Sequence, residues 1–252
     1  MMNKKALVIG SGFAGLSTAS ALAQKGFETT ILEKNTSIGG RARQFTESGF
    51  TFDMGPSWYW MPDVFENYFK RFGKSVSDYY QLKRLDPSYQ VVYGVNDGMP
   101  LPADMKALEA LFESLETGAG LQLRAFLKQA AYKYEVGINK LVYKPGRSLT
   151  EFASLKLLVD VVRMDVFQSM STHVRKFFKH PKLIQLMEFP VLFLGALAQN
   201  TPALYSLMNY ADMSLGTWYP EGGMHKIVEG MGSLAEELGV TILTDHAVTK
   251  IV

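Results

Sequence analysis

The chain has 252 residues, 47% hydrophobic and 20% charged, with a net charge of +2. That length holds one large or two modest domains with a real core, and so balanced a charge, with no dense basic stripe, argues against nucleic acid as the main partner. There is no cysteine, which excludes disulfides, thiol catalysis and cysteine-ligated metal.

Lys5 to Ile9 is a short apolar run with two β-branched members, and reads as a strand. Gly10–Ser11–Gly12–Phe13–Ala14–Gly15 follows at once. Leu16 to Lys25 reads as a helix rich in alanine and leucine, closed by Gly26, and Thr29 to Leu32 as a second strand ending at Glu33. Strand, glycine turn, helix and acidic strand end in this order are the βαβ dinucleotide fingerprint. Gly10 allows the tight turn, Gly12 a close backbone approach to a pyrophosphate, and Gly15 close packing of helix on strand. The helix N-terminus offers unpaired N–H groups to phosphate. Glu33, followed by Lys34, puts a carboxylate where a ribose diol can donate to it. The run from Met1 breaks at Gly10, too short for a signal segment, and no apolar run approaches the ~20 residues of a membrane span. A cytoplasmic protein is the expectation.

A second glycine bend, Gly39–Gly40–Arg41, comes a few residues later. Its glycines let the backbone pass near a second part of the same ligand, and Arg41 can neutralise phosphate in forked geometry. Gly49 to Ser57 then reads as a strand and a turn. With GxGxxG, an acidic strand end, GGR and the Asp53–Met54–Gly55 turn in series, the sequence resembles the amine-oxidase-like FAD superfamily.

Trp58–Tyr59–Trp60–Met61–Pro62 opens an aromatic region, and Pro62 starts a helix whose apolar residues recur at helical spacing to Gly73. Leu85–Ser88 is a turn, Tyr89–Val95 a strand and Asn96–Gly98 a hairpin turn with a brief return. Asp104 caps a helix to Glu116, and Leu121–Tyr143 reads as another. Ser148–Glu151 is a capping box for a helix over Leu149–Phe167. Ser171 or Thr172 caps a short basic helix with Arg175, Lys176, Phe177, Phe178 and Lys179, and a further apolar helix spans Leu183–Ala198. After the glycine turn near Gly222, a helix over Ile227–Leu238 and a strand over Val240–Leu243 follow, and His246–Val252 starts another strand. Ending inside a strand suggests a chain cut short.

Three later blocks narrow the resemblance: Phe52–Trp58, Phe189–Tyr210 and Gly216–Met224 look like the carotenoid desaturases, of the bacterial phytoene desaturase type. The resemblance covers essentially the whole chain, although full members are roughly twice as long. It implies an α/β fold in which a Rossmann-like FAD-binding domain (1–60, resumed incompletely at 216–252) is interrupted by a mainly helical substrate and membrane-facing domain with a small sheet (61–215). It implies FAD contacts at Gly10, Ser11, Gly12, Phe13, Ala14, Gly15, Glu33, Lys34, Gly40 and Arg41. Gly55, Pro56, Ser57 and Trp58 would lie by the flavin ring and Val248 by the adenine. It implies FAD-dependent desaturation of phytoene or a related long isoprenoid hydrocarbon, carried out at the inner face of the cell membrane. Arg175, Lys176, Lys179 and Lys182, interleaved with Phe177 and Phe178, would suit an anionic lipid surface or simply a solvated helix face over a core. No catalytic acid or base stands out: Asp53, Glu221 and His225 are candidates by location alone. The four histidines lack a metal-ligand spacing, so no metal is expected. A flavin amine oxidase, a protoporphyrinogen-oxidase-like enzyme, a carotenoid isomerase and an inactive FAD-binding fragment remain open as alternatives.

Overall fold

The structure is a computed structural model that describes residues 4–144, 147–148 and 164–251. The described residues fall into two compact units, one formed by Met1–Arg84 with Trp218–Val252 and the other by Leu85–Thr217.

The first unit opens with β1 (Lys5–Ile9), α1 (Phe13–Gln24) and β2 (Glu28–Leu32). A hairpin follows, β3 (Arg43–Glu47) and β4 (Phe50–Met54), in which Phe45 and Phe52 stack at 5.0 Å. The sequence reading missed β3. Next come α2 (Pro62–Lys70) and β5 (Leu82–Arg84).

In the second unit, β6 (Tyr89–Gly94) and β7 (Asp97–Leu101) form a hairpin turning at Val95–Asn96, so the return strand is longer than expected. α3 (Met105–Leu115) is capped by Asp104, whose carboxylate accepts from the Ala107 N–H at 2.9 Å. α4 (Ala119–Val136) runs into a π-turn at Gly137–Leu141. Ser148 is described, but the rest of the expected capping box, including Glu151, and most of the helix expected over 149–167 lie outside the described residues; residues 164–167 form a turn. α5 (Met170–Val174) is capped by Ser169 rather than Ser171 or Thr172, and ends before the basic residues. α6 (Pro181–Glu188) passes into a 3-10 turn at Phe189–Leu194, where Pro190 removes a helical N–H. α7 (Leu207–Met213) closes the unit.

Phe112, Leu123, Phe126, Phe178 and Leu183 form the second unit's core. Within it Lys133 is wholly buried, its Nζ donating to Asp165 at 2.9 Å, to the Ala203 carbonyl at 3.1 Å and to Ser206 Oγ at 3.1 Å. A buried ammonium needs such partners to offset its desolvation.

Back in the first unit, β8 (Trp218–Pro220) pairs antiparallel with β5, and α8 (Lys226–Glu237) leads to β9 (Thr241–Leu243). β1, β2 and β9 make a parallel sheet in that order, with Lys5 opposite Glu28, Ile9 opposite Leu32 and Leu32 opposite Leu243. α1 and α8 share one core with Ile31, Val8 and Ile242. Phe65, Tyr68, Phe69, Tyr79 and Tyr80 join that core, which is why the first unit extends to Arg84 and not to about residue 60. The strand expected over His246–Val252 does not form among residues 246–251, which have no strand partner.

Candidate functional site: a groove along two glycine bends

The first bend turns the chain from β1 into α1. A Cβ on Gly15 would stand 1.9 Å from the Gly10 carbonyl oxygen, so only glycine lets α1 start this close to the strand end. Gly12 is the N-cap residue of α1, which has no side-chain cap and no acidic residue in its first turn. That leaves a helix N-terminus suited to an anion.

The second bend lies against the first. The Gly39 N–H donates to the Ser11 carbonyl at 3.0 Å, and a Cβ on Gly40 would come within 3.2 Å of Gly12 Cα. Gly40 also has a φ of 59°. A side chain there would separate the bends and strain the backbone.

Two hollows open on this contact and share Gly12. One, of about 320 Å³, is lined by Gly10, Ser11, Gly40, Glu33, Lys34 and Val248 among others. The second, of about 600 Å³, is lined by Phe13, Ala14, Gly39, Arg41, Gly55 and Pro56 among others. Arg41 is exposed there and has no ion pair among the described residues. Val248 reaches the first hollow because the irregular strand end is tied to β2: the Asp245 N–H donates to Asn35 O at 3.0 Å and the His246 N–H to Glu33 O at 2.8 Å. Most residues singled out in the sequence therefore converge. Gly15 acts from behind as a packing residue, and Ser57 and Trp58 line neither hollow; Trp58 instead meets Trp60 edge-to-face at 5.4 Å.

Glu33 is 3% exposed and ties the first bend to the segment that leaves β2. Its Oε2 accepts from the Ser11 N–H at 2.9 Å and the Ser11 hydroxyl at 2.6 Å. Its Oε1 accepts from the Asn35 N–H at 2.9 Å and the Asn35 side-chain amide at 2.6 Å. Burial alone would raise its pKa, but these four donors outweigh burial and bring it down to about 2. The sequence reading did not find Asn35; an Asx residue two places past the acidic strand end was its only signal. Because the folded carboxylate titrates below its ordinary value, its contribution is full above about pH 4.5 and fades as pH falls toward 2. Glu33→Gln is expected to cost about 3 kcal/mol at neutral pH. The gap in melting temperature from the parent chain should narrow steadily between about pH 5 and pH 2.

Of the acid–base candidates, two are structural. Asp53 accepts from the Met224 N–H at 2.7 Å, the His225 N–H at 3.1 Å and the Tyr219 hydroxyl at 3.1 Å. It thereby fastens β4 to the start of α8. His225 Nδ1 lies 3.0 Å from the Ala42 carbonyl, as a donor to it. Glu221 lines a separate shallow hollow with Tyr79, Gln81 and Lys226. Among the described residues no His, Asp and Glu group has the geometry to hold a metal, and no helix is long and apolar enough to cross a membrane.

Residues 13–252 match the family described as flavin containing amine oxidoreductase. The chain is 42% identical over 245 residues to a carotenoid 3,4-desaturase of Haloarcula japonica, covering 97% of this chain and 50% of that protein. It is 32% identical over 248 residues to a 4,4'-diapophytoene desaturase (4,4'-diaponeurosporene-forming) of Staphylococcus aureus, covering 98% of this chain and 49% of that protein. The chain thus spans about half the length of the curated relatives it matches. Among solved structures, an oxidoreductase from Methanosarcina mazei superposes with a TM-score of 0.63 at 17% identity, over 98% of this chain and 53% of that one. A putrescine oxidase superposes with a TM-score of 0.58 at 15% identity, over 96% of this chain and 51% of that one. On the match across residues 13–252, the chain belongs to the flavin containing amine oxidoreductase family, whose cofactor is FAD.

Proposed function

We propose that these residues are the cofactor-gripping half of an FAD-dependent carotenoid desaturase, acting on phytoene or a related precursor. The observation that carries this reading is the meeting of the two glycine bends at Gly12 and Gly40, with one hollow on either side. A two-ended ligand joined by a diphosphate suits that arrangement: phosphate beside the α1 N-terminus and Arg41, one end toward Glu33 and Val248, the other toward Gly55 and Pro56. A ribose diol would take over the places of the Ser11 hydroxyl and the Asn35 amide on Glu33, the two donors that can rotate away. The two backbone donors would stay and keep the carboxylate aimed.

Held by the two glycine bends and Arg41, a flavin would supply the two-electron oxidant needed to convert a CH2–CH2 unit beside existing double bonds into CH=CH, a change in which the allylic carbon gives up a hydride and its neighbour a proton. This chain's own part is binding and orientation; Asp53 and His225 act by holding α8 in place. The two similar desaturases, named for carotenoid and diapophytoene substrates, favour a polyene over an amine. The full-length protein containing these residues, expressed in phytoene-accumulating cells, should shift the polyene absorbance to longer wavelength. An unchanged phytoene spectrum together with oxidation of an added amine would overturn the reading.

The substrate's insolubility calls for loading at the inner face of a cell membrane, with the protein held there peripherally. The two phenylalanines of the basic stretch do not serve as lipid anchors: Phe178 is buried and Phe177 packs on the same core. Arg175 pairs with Glu188 and Lys182 with Asp97, leaving Lys176 and Lys179 as the exposed cations of the stretch that have no ion pair among the described residues, Lys176 in a 2.8 Å hydrogen bond to Gln168. Lys176→Glu with Lys179→Glu is expected to lower co-sedimentation with anionic liposomes by at least about fivefold. Equal co-sedimentation would remove this stretch as the contact.

A further inference from the structure

The second glycine bend runs straight into β3, whose first residue is Arg43. Arg43 makes no ion pair among the described residues and lines neither hollow. Its Nη1 donates instead to the Asn35 side-chain oxygen at 3.4 Å. Asn35 does line the hollow that holds Glu33. Its amide therefore stands between a carboxylate and a guanidinium. A carboxylate only accepts hydrogen bonds and a guanidinium only donates them, so both neighbours fix the same amide orientation, Nδ2 toward Glu33 and Oδ1 toward Arg43. The two contacts are unequal. Nδ2 lies 2.6 Å from Glu33 Oε1, a charge-assisted distance, whereas 3.4 Å to Arg43 is near the outer limit of a hydrogen bond. The backbone of Asn35 is held at both of its polar groups. Its N–H donates to Glu33 Oε1 at 2.9 Å, and its carbonyl accepts from the Asp245 N–H at 3.0 Å. Only the side chain has freedom to shift, and the slack lies on the Arg43 side.

We propose that Asn35 is a gate on the ribose-binding carboxylate, and that Arg43 is the positioning residue that takes the Asn35 amide when a ribose diol displaces it from Glu33. This inference rests on the flavin reading and deepens it at the adenosine end. Displacement deprives the amide of a charged acceptor. Arg43 offsets that loss: the amide oxygen closes on the guanidinium and gains one charge-assisted bond as the nitrogen gives up another. Among the described residues no carboxylate competes for the Arg43 N–H groups. The two arginines after the second bend thus divide the work. Arg41 lines the second hollow and serves any ligand with a diphosphate. Arg43 serves only a ligand whose ribose hydroxyls reach Glu33.

The test compares ADP with 2′,3′-dideoxy-ADP, which carries the same charge and lacks the diol, as competitors of FAD on the purified chain. Arg43→Met should melt as the parent does, because the contact it removes is long and only part-buried. It should weaken ADP by about tenfold, the worth of one hydrogen bond to a charged group, and leave dideoxy-ADP unchanged. In an Asn35→Ala background the same substitution should change neither nucleotide. Arg43→Thr, whose side chain suits a strand and is too short to reach Asn35, repeats the comparison if Arg43→Met does not fold. Equal losses for both nucleotides, or no loss for ADP, would overturn the gate. So would a loss for ADP that persists with Asn35→Ala, which would put Arg43 in direct contact with the ligand. The flavin reading fails on a different result, a folded parent chain that binds neither FAD nor ADP.

Discussion

Gly12→Ala is expected to leave the chain folded and to weaken flavin binding by at least about a hundredfold, whereas Gly15→Ala destabilises the fold itself. The two glycines are three residues apart in one motif, but they meet different surroundings. Gly12 has φ −70° and ψ 177°, a conformation any residue adopts, and an added Cβ would meet only Gly40 Cα at 4.0 Å. The folded chain tolerates that methyl. It stands, however, at the one residue that lines both hollows, and a diphosphate held in van der Waals contact with the bend has no room for it. At Gly15 the new Cβ would sit 1.9 Å from the Gly10 carbonyl oxygen. Backbone must move, at a cost of about 3 kcal/mol or more, or roughly 6–12 °C in melting temperature for a chain of this size. Thermal unfolding followed by circular dichroism, with flavin fluorescence on the same samples, separates the two effects. A Gly12→Ala chain that keeps full flavin affinity would show that the bend does not touch the ligand. One that loses melting temperature as Gly15→Ala does would show that both glycines serve packing.

Asp53→Ala is the second large effect. One carboxylate accepts from three donors, the backbone N–H groups of Met224 and His225 at the start of α8 and the hydroxyl of Tyr219 in β8. Its charge also faces the positive end of the helix. Without it those donors are left without their partner, and a lost charged acceptor costs about 1.5–3 kcal/mol per bond in part-buried settings. A loss of about 3–5 kcal/mol in unfolding free energy is expected, since the bonds form one network and do not add fully. Asp53→Asn keeps the shape and one acceptor and should lose about half as much. Denaturant unfolding of both variants measures this. If Asp53→Ala unfolds at the parent's midpoint while turnover of the full-length protein disappears, Asp53 belongs to the chemistry and not to the anchor.

The local part of the fold was readable in the sequence because its signals lie within a few residues. The run Lys5–Ile9, the glycine turn, α1 and the acidic tip at Glu33 each carry their own pattern, and Asp104 caps α3 as its position suggests. Readings failed where the deciding partner is distant. β3 alternates weakly on its own, and becomes a strand through Phe45 stacking on Phe52 of β4. The aromatic face of α2 announced a core without saying which, and Phe69 joins the core of the first unit. His246–Val248 alternate like a strand, yet hydrogen bonds to Glu33 and Asn35 hold the segment beside the groove with no strand to pair with. Asp53 meets Met224 across 171 residues of sequence, a separation no spacing rule spans. For the candidate site the glycines and Glu33 were legible, because sterics at a turn are local. The role of Asn35 was not, since it depends on the carboxylate being buried.

The most direct measurement is a titration of the purified chain with FAD, followed by flavin fluorescence and repeated with ADP-ribose and then riboflavin as competitors. If the two glycine bends hold the diphosphate, FAD binds, ADP-ribose displaces it, and riboflavin, which lacks the diphosphate, does not. Displacement by riboflavin as effective as by ADP-ribose, or no FAD binding by a folded chain, would contradict a grip on the diphosphate.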